Sequence, residues 1–376
     1  MRVAIDVTPL LDARTGIGVV THELLVRLAA RDDLTMVAYA TSWRGRHEVP
    51  GLVPEGVTVS SRPMAARPLR AAWRRSDLPP LEWFTGPVDA VLGTNFVAPP
   101  TRRAARVALV HDLTAWLFPE LCTDETRQYP GLVGRALRAG AHAVVPTRAV
   151  AGELVEHEGV RPERVHVVNW AASQAAGGIA DRGRTTAGAD RYVLSLGTIE
   201  PRKDHALLVR AFDRAAASDA ELRLVVAGPD GWGVERYDAA VAAARHRDRI
   251  TRLGWVDDAT RADLLAGAAV VAFPSVYEGF GLPPLEALLA GVPVVGTAIP
   301  SLLEVLGDAA DLVAPDDDAL GRALVAAAGL TGPERERRAE QGRARASWYS
   351  WDRAADGVVD ALRTAASPVS RTIPSS

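Results

Sequence analysis

The chain has 376 residues, 48% hydrophobic and 24% charged, with a net charge of −3; this is enough for two cores of ordinary size and argues against a disordered chain or a polyanion-coating one. Its single cysteine, Cys122, excludes an intrachain disulfide and a cysteine-built metal site, and the balance of charge gives no sign of a nucleic-acid partner. The start MRVAIDVTPLL shows no charged leader or cleavage site, and nowhere do eighteen apolar residues run together, so the expected address is cytoplasmic with no membrane-spanning helix.

In chain order, short β-branched runs alternate with Ala/Leu-rich helical stretches: RVAIDVTPL (2–10), TMVAYA (35–40), GVTVS (56–60), DAVLGT (89–94), RVALVHDLT (106–114), AHAVVPT (141–147) and RVHVVNW (164–170). Such alternation predicts a parallel sheet with helices on both faces. After Trp170 the stretch AASQAAGGIADRGRTTAGAD is small, polar and without period, which reads as a linker at 173–190. The alternation restarts with YVLSLG (192–197), LRLVVAG (222–228), RITRLG (249–254), AVVAFPS (269–275), PVVGTA (293–298) and ADLVAP (310–315). The fold class is therefore α/β, with two doubly wound, Rossmann-like domains, 1–172 and 191–351, facing across a cleft at the carboxyl ends of their strands. Functional residues belong on the loops that follow strands.

One such loop, GTIEPRKDH (197–205), holds Lys203, the only lysine in a chain whose other basic residues are all arginine. Arg202 and Lys203 stand where an amphipathic helix with Leu207, Leu208, Ala211 and Phe212 on one face should open, and cations suit that positive helix end badly. Two readings stay open: an anion held from outside, with Lys203 reaching between its oxygens, or a solvated surface pair.

The stretch FPSVYEGFGLPPLEALLAGVPVVGT (273–297) reads as a strand ending at Ser275, a tight turn at Gly279 and Gly281, and a helix opened by Pro283 or Pro284 and closed by Gly291. Glu278 precedes the turn and Glu286 is expected in the first turn of the helix, so both carboxylates can face one ligand and accept hydrogen bonds from its hydroxyls. Taken singly, Glu286 reads as a helix-dipole partner and Glu278 as a loop charge.

EGFGLPPLE, with its two glutamates separated by seven residues, and GTIEPRK together resemble the retaining glycosyltransferases of family 4, mannosyltransferase-like enzymes of the GT-B fold that use nucleotide sugars. The resemblance extends to TGIG (15–18), VHD (110–112), GPDGW (228–232), LGWVDDATRADLLAGAAVVAFPS (253–275) and SWYSWDRAADGVVDALR (347–363). It implies that Arg202 and Lys203 hold the donor diphosphate, that Glu286 binds the ribose, and that Glu278 contacts the transferred sugar with the turn N–H groups of Gly279, Phe280 and Gly281. It further implies that His111 contacts the sugar near the reacting carbon, although a lone histidine is more often structural. The loop at Gly16 and Gly18 approaches the phosphates and the acceptor, and Val256 and Leu282 join the donor contacts. The implied reaction passes a hexose, mannose or similar, from a nucleoside-diphosphate sugar such as GDP-mannose to an acceptor hydroxyl with retention. The leaving phosphate takes the acceptor proton, and neither a protein nucleophile nor a metal is needed. The nucleotide sugar is a co-substrate, and no cofactor is expected.

Asp257-Asp258 and Asp316-Asp317-Asp318 offer oxygen ligands for a divalent cation but precede helical runs, where capping is the better reading. VVNWAASQ (167–174) departs from the turn common in the family. The closing helix, about 352–366, is expected to cross back onto the first domain, and the tail 367–376 to be disordered. The acceptor, whether carbohydrate, lipid-linked or a small molecule, is not legible. The stretch 61–84, with five arginines and two tryptophans, leaves peripheral contact with an anionic membrane open beside an ordinary exposed loop and helix. A nucleotide-sugar epimerase or hydrolase, a non-catalytic binder, and an inverting enzyme with Asp12 or His22 as general base are the alternatives.

Overall fold

The computed structural model describes residues 1–11, 16–173 and 177–367. Its strands stand where the apolar runs stand. The first unit contains β1 (Arg2–Asp6), β2 (Thr35–Tyr39), β3 (Thr58–Val59), β4 (Ala90–Gly93), β5 (Ala105–Leu109), β6 (His142–Val145) and β7 (Val165–Val167), in the sheet order β3-β2-β1-β4-β5-β6-β7. The second contains β8 (Tyr192–Leu196), β9 (Arg223–Ala227), β10 (Ile250–Gly254), β11 (Val270–Phe273), β12 (Val294–Thr297) and β13 (Asp311–Val313), ordered β10-β9-β8-β11-β12-β13.

Every pairing is parallel, and burial follows position in the sheet. The central strands β4, β8 and β11 are buried along their whole length, whereas the edge strands β3, β7, β10 and β13 are half-covered. Helices on both faces demand this, and it explains why central strands read as unbroken apolar runs. Each sheet reverses its strand order once. Val3 of β1 pairs with Met36 of β2 on one side and Ala90 of β4 on the other. Val193 of β8 likewise pairs with Leu224 of β9 and Val270 of β11. Beyond the carboxyl ends of β1/β4 and β8/β11 lie the switch points at which such sheets bind ligands.

Contacts divide the chain into Met1–Trp170 with the segment from Trp351 on, and Ala171–Ser350. The helix Trp351–Ala366 packs on β4 to β7 of the first unit, where Gly357 meets the Val168 side chain, and Asp352 and Asp356 pair with Arg27 at 2.7 Å and Arg31 at 2.6 Å. The tail beyond Ser367, expected to be disordered, lies outside the described residues, as do Asp12 and Thr15. In the second unit the helix His205–Ser218 buries Leu207, Leu208, Ala211 and Phe212, the four residues expected on its inner face.

The segment 173–190 differs from the linker expected. It holds the helix Ala180–Ala187, laid against the helix Asp258–Gly267. A Cβ on Gly183 would stand 1.9 Å from the Asp263 carbonyl oxygen, and one on Gly178 would stand 2.2 Å from that of Ala262. The Ile179 N–H donates to Asp263 Oδ1 at 2.6 Å. The small residues that read as a flexible connection are what lets two backbones touch.

The 61–84 stretch forms the helices Ala66–Trp73 and Glu82–Thr85. Trp73 is buried and donates Nε1–H to the Pro79 carbonyl, so Trp83 alone of the two tryptophans reaches solvent. Among the described residues no helix is long and apolar enough to cross a membrane.

Candidate active site

The loops that follow β8 and β11, neighbours at the switch point of the second sheet, carry the main cluster. After β8 the chain turns at Gly197 (φ 130°), passes through the single 3-10 turn Pro201–Lys203, and reaches Asp204 in the left-handed region (φ 38°). Asp204 caps the helix His205–Ser218, its Oδ1 accepting the Leu207 N–H at 3.1 Å. Arg202 and Lys203 therefore do not open that helix as expected; they precede its cap, and the helix end is satisfied from within the chain.

After β11 the Val276 N–H donates to the Arg202 carbonyl at 2.8 Å, which joins the two loops through backbone. Arg202 donates to the Tyr277 carbonyl at 3.0 Å and pairs with Glu200 at 2.8 Å and Glu278 at 2.6 Å. Lys203 Nζ lies 3.2 Å from Glu278 Oε1 and 4.9 Å from the centre of the Phe273 ring. Its stem crosses Gly197, where a Cβ would meet Lys203 Cε at 3.2 Å. The slender lysine fits this path, between a bare α-carbon and an aromatic face; a planar guanidinium would have to force one of them aside. The expected external anion thus has an internal counterpart. Glu278 bridges both cations, and Ser275 Oγ–H donates to its Oε1 at 3.0 Å. Burial raises the Glu278 pKa, but the charges of Arg202 and Lys203 outweigh it and bring the carboxyl down to about 2.

The turn at Gly279, Phe280 and Gly281 leads into the helix Leu282–Leu289. Gly281 (φ 90°) precedes that helix, and a side chain there would strike Leu302 Cδ2 at 2.6 Å. Phe280 is buried with its ring edge-on to Tyr349, 5.5 Å between centroids, and Leu282 is half-buried. Glu286 sits a turn later than expected: the first turn of the helix carries no acidic residue, and Glu286 is buried beyond it in an ion pair with Arg261. Arg261 belongs to the helix Asp258–Gly267, which the half-buried Val256 precedes by two residues. Sequence reasoning missed Arg261, Glu200 and Ser275. Arg261 had a readable signal, standing four residues after the capping Asp257 inside one of the quoted motifs.

The acidic clusters are capping residues. Asp257 accepts the Thr260 N–H and Asp316 the Ala319 N–H, each at 2.8 Å, while Asp317 and Asp318 pair with Arg210 and Arg214. No group of three potential metal ligands converges among the described residues.

His111 belongs to the first unit, in the loop after β5. Its Nε2 lies 2.7 Å from the Thr94 carbonyl, which accepts only, so the neutral ring carries its proton there and leaves Nδ1 as the free lone pair. Burial holds its pKa below the ordinary histidine range, against the opposing pull of that hydrogen bond. Phe96 meets the ring edge-on at 5.7 Å. Thr94 is fixed in turn, its Oγ1–H donating to the Asp6 carbonyl at 2.7 Å. Gly16 opens the helix Gly16–Ala29, and Gly18 is packed so that a Cβ would lie 3.0 Å from the Pro9 carbonyl oxygen.

Residues 180–345 match the family model described as glycosyl transferases group 1. The D-inositol 3-phosphate glycosyltransferase of Kribbella flavida is 30% identical over 316 residues, covering 75% of this chain and 70% of that protein. The chain belongs to the group 1 glycosyl transferases. The O-antigen chain mannosyltransferase B of Escherichia coli is 34% identical over 175 residues, 46% of this chain and less than half, 45%, of that protein. Among solved structures, the lipopolysaccharide-biosynthesis glycosyltransferase WaaG matches with a TM-score of 0.73 at 19% identity, covering 96% of this chain and 99% of that one. Anabaena HepE, solved with UDP and glucose, matches at 0.71 and 17% identity, covering 97% and 100%. Two Rossmann-like α/β domains are the GT-B architecture, and by family this chain is a glycosyltransferase.

Proposed function

We propose that the protein transfers a hexose, mannose or a close relative, from a nucleoside-diphosphate sugar to an acceptor hydroxyl, with retention of anomeric configuration and without a metal ion. The observation that carries this reading is the convergence of Arg202 and Lys203 on one anionic group, the Glu278 carboxylate, at the switch point of the second sheet. Two half-buried cations fixed by neighbouring backbone are already oriented for charge that develops on a leaving diphosphate, and such preorganisation is commonly the largest catalytic contribution. They supply the positive charge that a divalent ion would otherwise bring.

In this reading Glu278 accepts hydrogen bonds from the transferred sugar, which the N–H groups of Gly279, Phe280 and Gly281 also contact, and Glu286 takes the ribose hydroxyls, with Val256 and Leu282 beside the nucleotide. His111, neutral and oriented by Thr94, accepts at Nδ1 a hydrogen bond from a sugar hydroxyl near the reacting carbon, and the Gly16–Gly18 segment approaches the phosphates. The oxygen released from the anomeric carbon takes the acceptor proton, so no side chain is assigned as nucleophile. Mannose is favoured by the Escherichia coli relative, a mannosyltransferase by name, whereas UDP in the Anabaena structure supports a nucleoside diphosphate without fixing the base. The acceptor is carbohydrate, lipid-linked or small. A cytoplasmic address, with contact to the inner membrane face through the arginines of 61–84, completes the proposal.

A thermal-shift screen of nucleoside-diphosphate sugars tests it, because a ligand that binds the native state raises its melting temperature by mass action. Stabilisation by at least one nucleoside-diphosphate hexose is expected; none by any of the GDP, UDP and ADP sugars contradicts the reading.

A further inference from the structure

The two cations assigned to the donor are already held by a carboxylate of the chain itself. Arg202 Nη1 lies 2.6 Å from Glu278 Oε2 and Lys203 Nζ lies 3.2 Å from Glu278 Oε1, so the carboxylate spans both charges with its two oxygens as a phosphate would with two of its own. Only 10% of the Glu278 side chain is exposed, against 16% for Arg202 and 13% for Lys203, so the exchange takes place out of bulk water, where charged contacts are strong and an unmatched charge is costly. Neither cation can serve a diphosphate and Glu278 fully at once: lysine is a compact charge, and the Arg202 fork is already shared with Glu200 and the Tyr277 carbonyl.

We infer that Glu278 is an internal competitor for the donor diphosphate: the phosphates displace it from Arg202 and Lys203, and its return to them helps expel the nucleoside diphosphate after transfer. This rests on the reading of the cluster as a donor site and adds to it a regulation of that site by the chain's own carboxylate. Donor arrival and the freeing of Glu278 become one event. The carboxylate reaches for sugar hydroxyls only when phosphate has taken its cations, which ties sugar recognition to an occupied diphosphate position. Ser275, whose hydroxyl donates to the Lys203-facing oxygen at 3.0 Å, holds the carboxylate near its place during the exchange. The consequence runs against simple complementarity, because removing a negative charge from the site should tighten nucleoside-diphosphate binding while impairing transfer.

The test is isothermal titration of the parent and Glu278→Gln with UDP and GDP, with UMP and GMP as controls. The variant should bind the diphosphate that the parent prefers about tenfold more tightly or better, while the matching monophosphate changes far less. Lys203→Met, made in both backgrounds, completes a double-mutant cycle: it should weaken diphosphate binding more in Glu278→Gln than in the parent, because only there is the lysine charge free for the ligand. Equal losses in the two backgrounds, or unchanged or weaker diphosphate binding by Glu278→Gln with monophosphate binding intact, overturn the inference. Should Glu278→Gln not melt cooperatively, Glu278→Asp, which withdraws the carboxylate by one methylene, gives the same readout with a smaller gain, and no gain there counts equally against it. If the parent binds none of the four nucleotides, the donor-site reading itself falls and this inference with it.

Discussion

Replacing Lys203 separates the role of its charge from that of its shape. Its ammonium makes one charged contact at 3.2 Å to Glu278 and one cation–π contact at 4.9 Å to Phe273. Losing the first costs about 1.5–3 kcal/mol and the second about 0.5–2. Glu278 keeps Arg202 and Ser275, so Lys203→Ala should lower stability by about 2–5 kcal/mol without leaving a bare buried charge. Its effect on transfer should be larger: kcat falls by about two to three powers of ten, the scale of losing one preorganised transition-state donor, and donor KM changes less. Lys203→Arg keeps the charge but brings a fork into a path between the bare α-carbon of Gly197, where an added Cβ would stand 3.2 Å from Lys203 Cε, and the Phe273 ring, an overpacking worth about 1–3 kcal/mol. It should lose about tenfold or more in kcat by displacing the charge from its place. Urea denaturation and steady-state transfer with a saturating nucleotide sugar measure both effects. If both variants are folded and transfer sugar at the parent rate, the phosphate role is wrong and the lone lysine is an accident of composition.

Other perturbations read other parts of the structure. Glu286→Gln should weaken nucleotide binding with little change in kcat, and Arg261→Ala, which frees the Glu286 carboxylate to turn, should do the same more mildly; a kcat loss without a binding loss would remove Glu286 from the ribose. Gly183→Ala drives a methyl into the Asp263 carbonyl and should destabilise the second unit by about 2 kcal/mol or more, whereas a linker residue would tolerate it within about 0.5. Burial pushes His205 down to about 3, with Lys203 adding to the shift, and pushes His142 down to about 4, with His166 adding there. The unfolded chain takes up these protons first, so stability is full above about pH 6.5 and falls toward pH 4 by up to about 1.4 kcal/mol per pH unit for each histidine. His205→Phe should flatten that profile in urea titrations between pH 7 and 4, and an unchanged slope would contradict the assignment.

The sheets were legible in the sequence because strands buried on both faces must be continuously apolar, and helices at 3.6-residue spacing must separate parallel strands. The segment 173–190 was not, since glycine and alanine serve a close helix contact and a flexible connection alike, and only the opposed backbone of Asp263 tells them apart. At the site, Arg202, Lys203 and Glu278 stood out by type and motif, but the ion pairs between them join loops 75 residues apart, which no local pattern reveals. The cap at Asp204 escaped notice for a different reason: a non-glycine residue in the left-handed region contradicts local propensity and is stabilised by the helix it caps. Glu286 was placed one turn too early because two prolines and a glycine bound the start of its helix without fixing its first residue, and composition alone could not say that Trp73 points inward while Trp83 does not.

Transfer measured by proton NMR in excess EDTA, with the nucleotide sugar that gives the largest thermal shift and an acceptor that turns over, bears on donor chemistry, stereochemistry and metal dependence together. The anomeric proton of the first-formed product should show the configuration of the donor, at a rate that EDTA leaves unchanged. An inverted product, or activity lost to EDTA and restored by Mg²⁺ or Mn²⁺, would contradict the assignment of the diphosphate charge to Arg202 and Lys203 and of retention to this site.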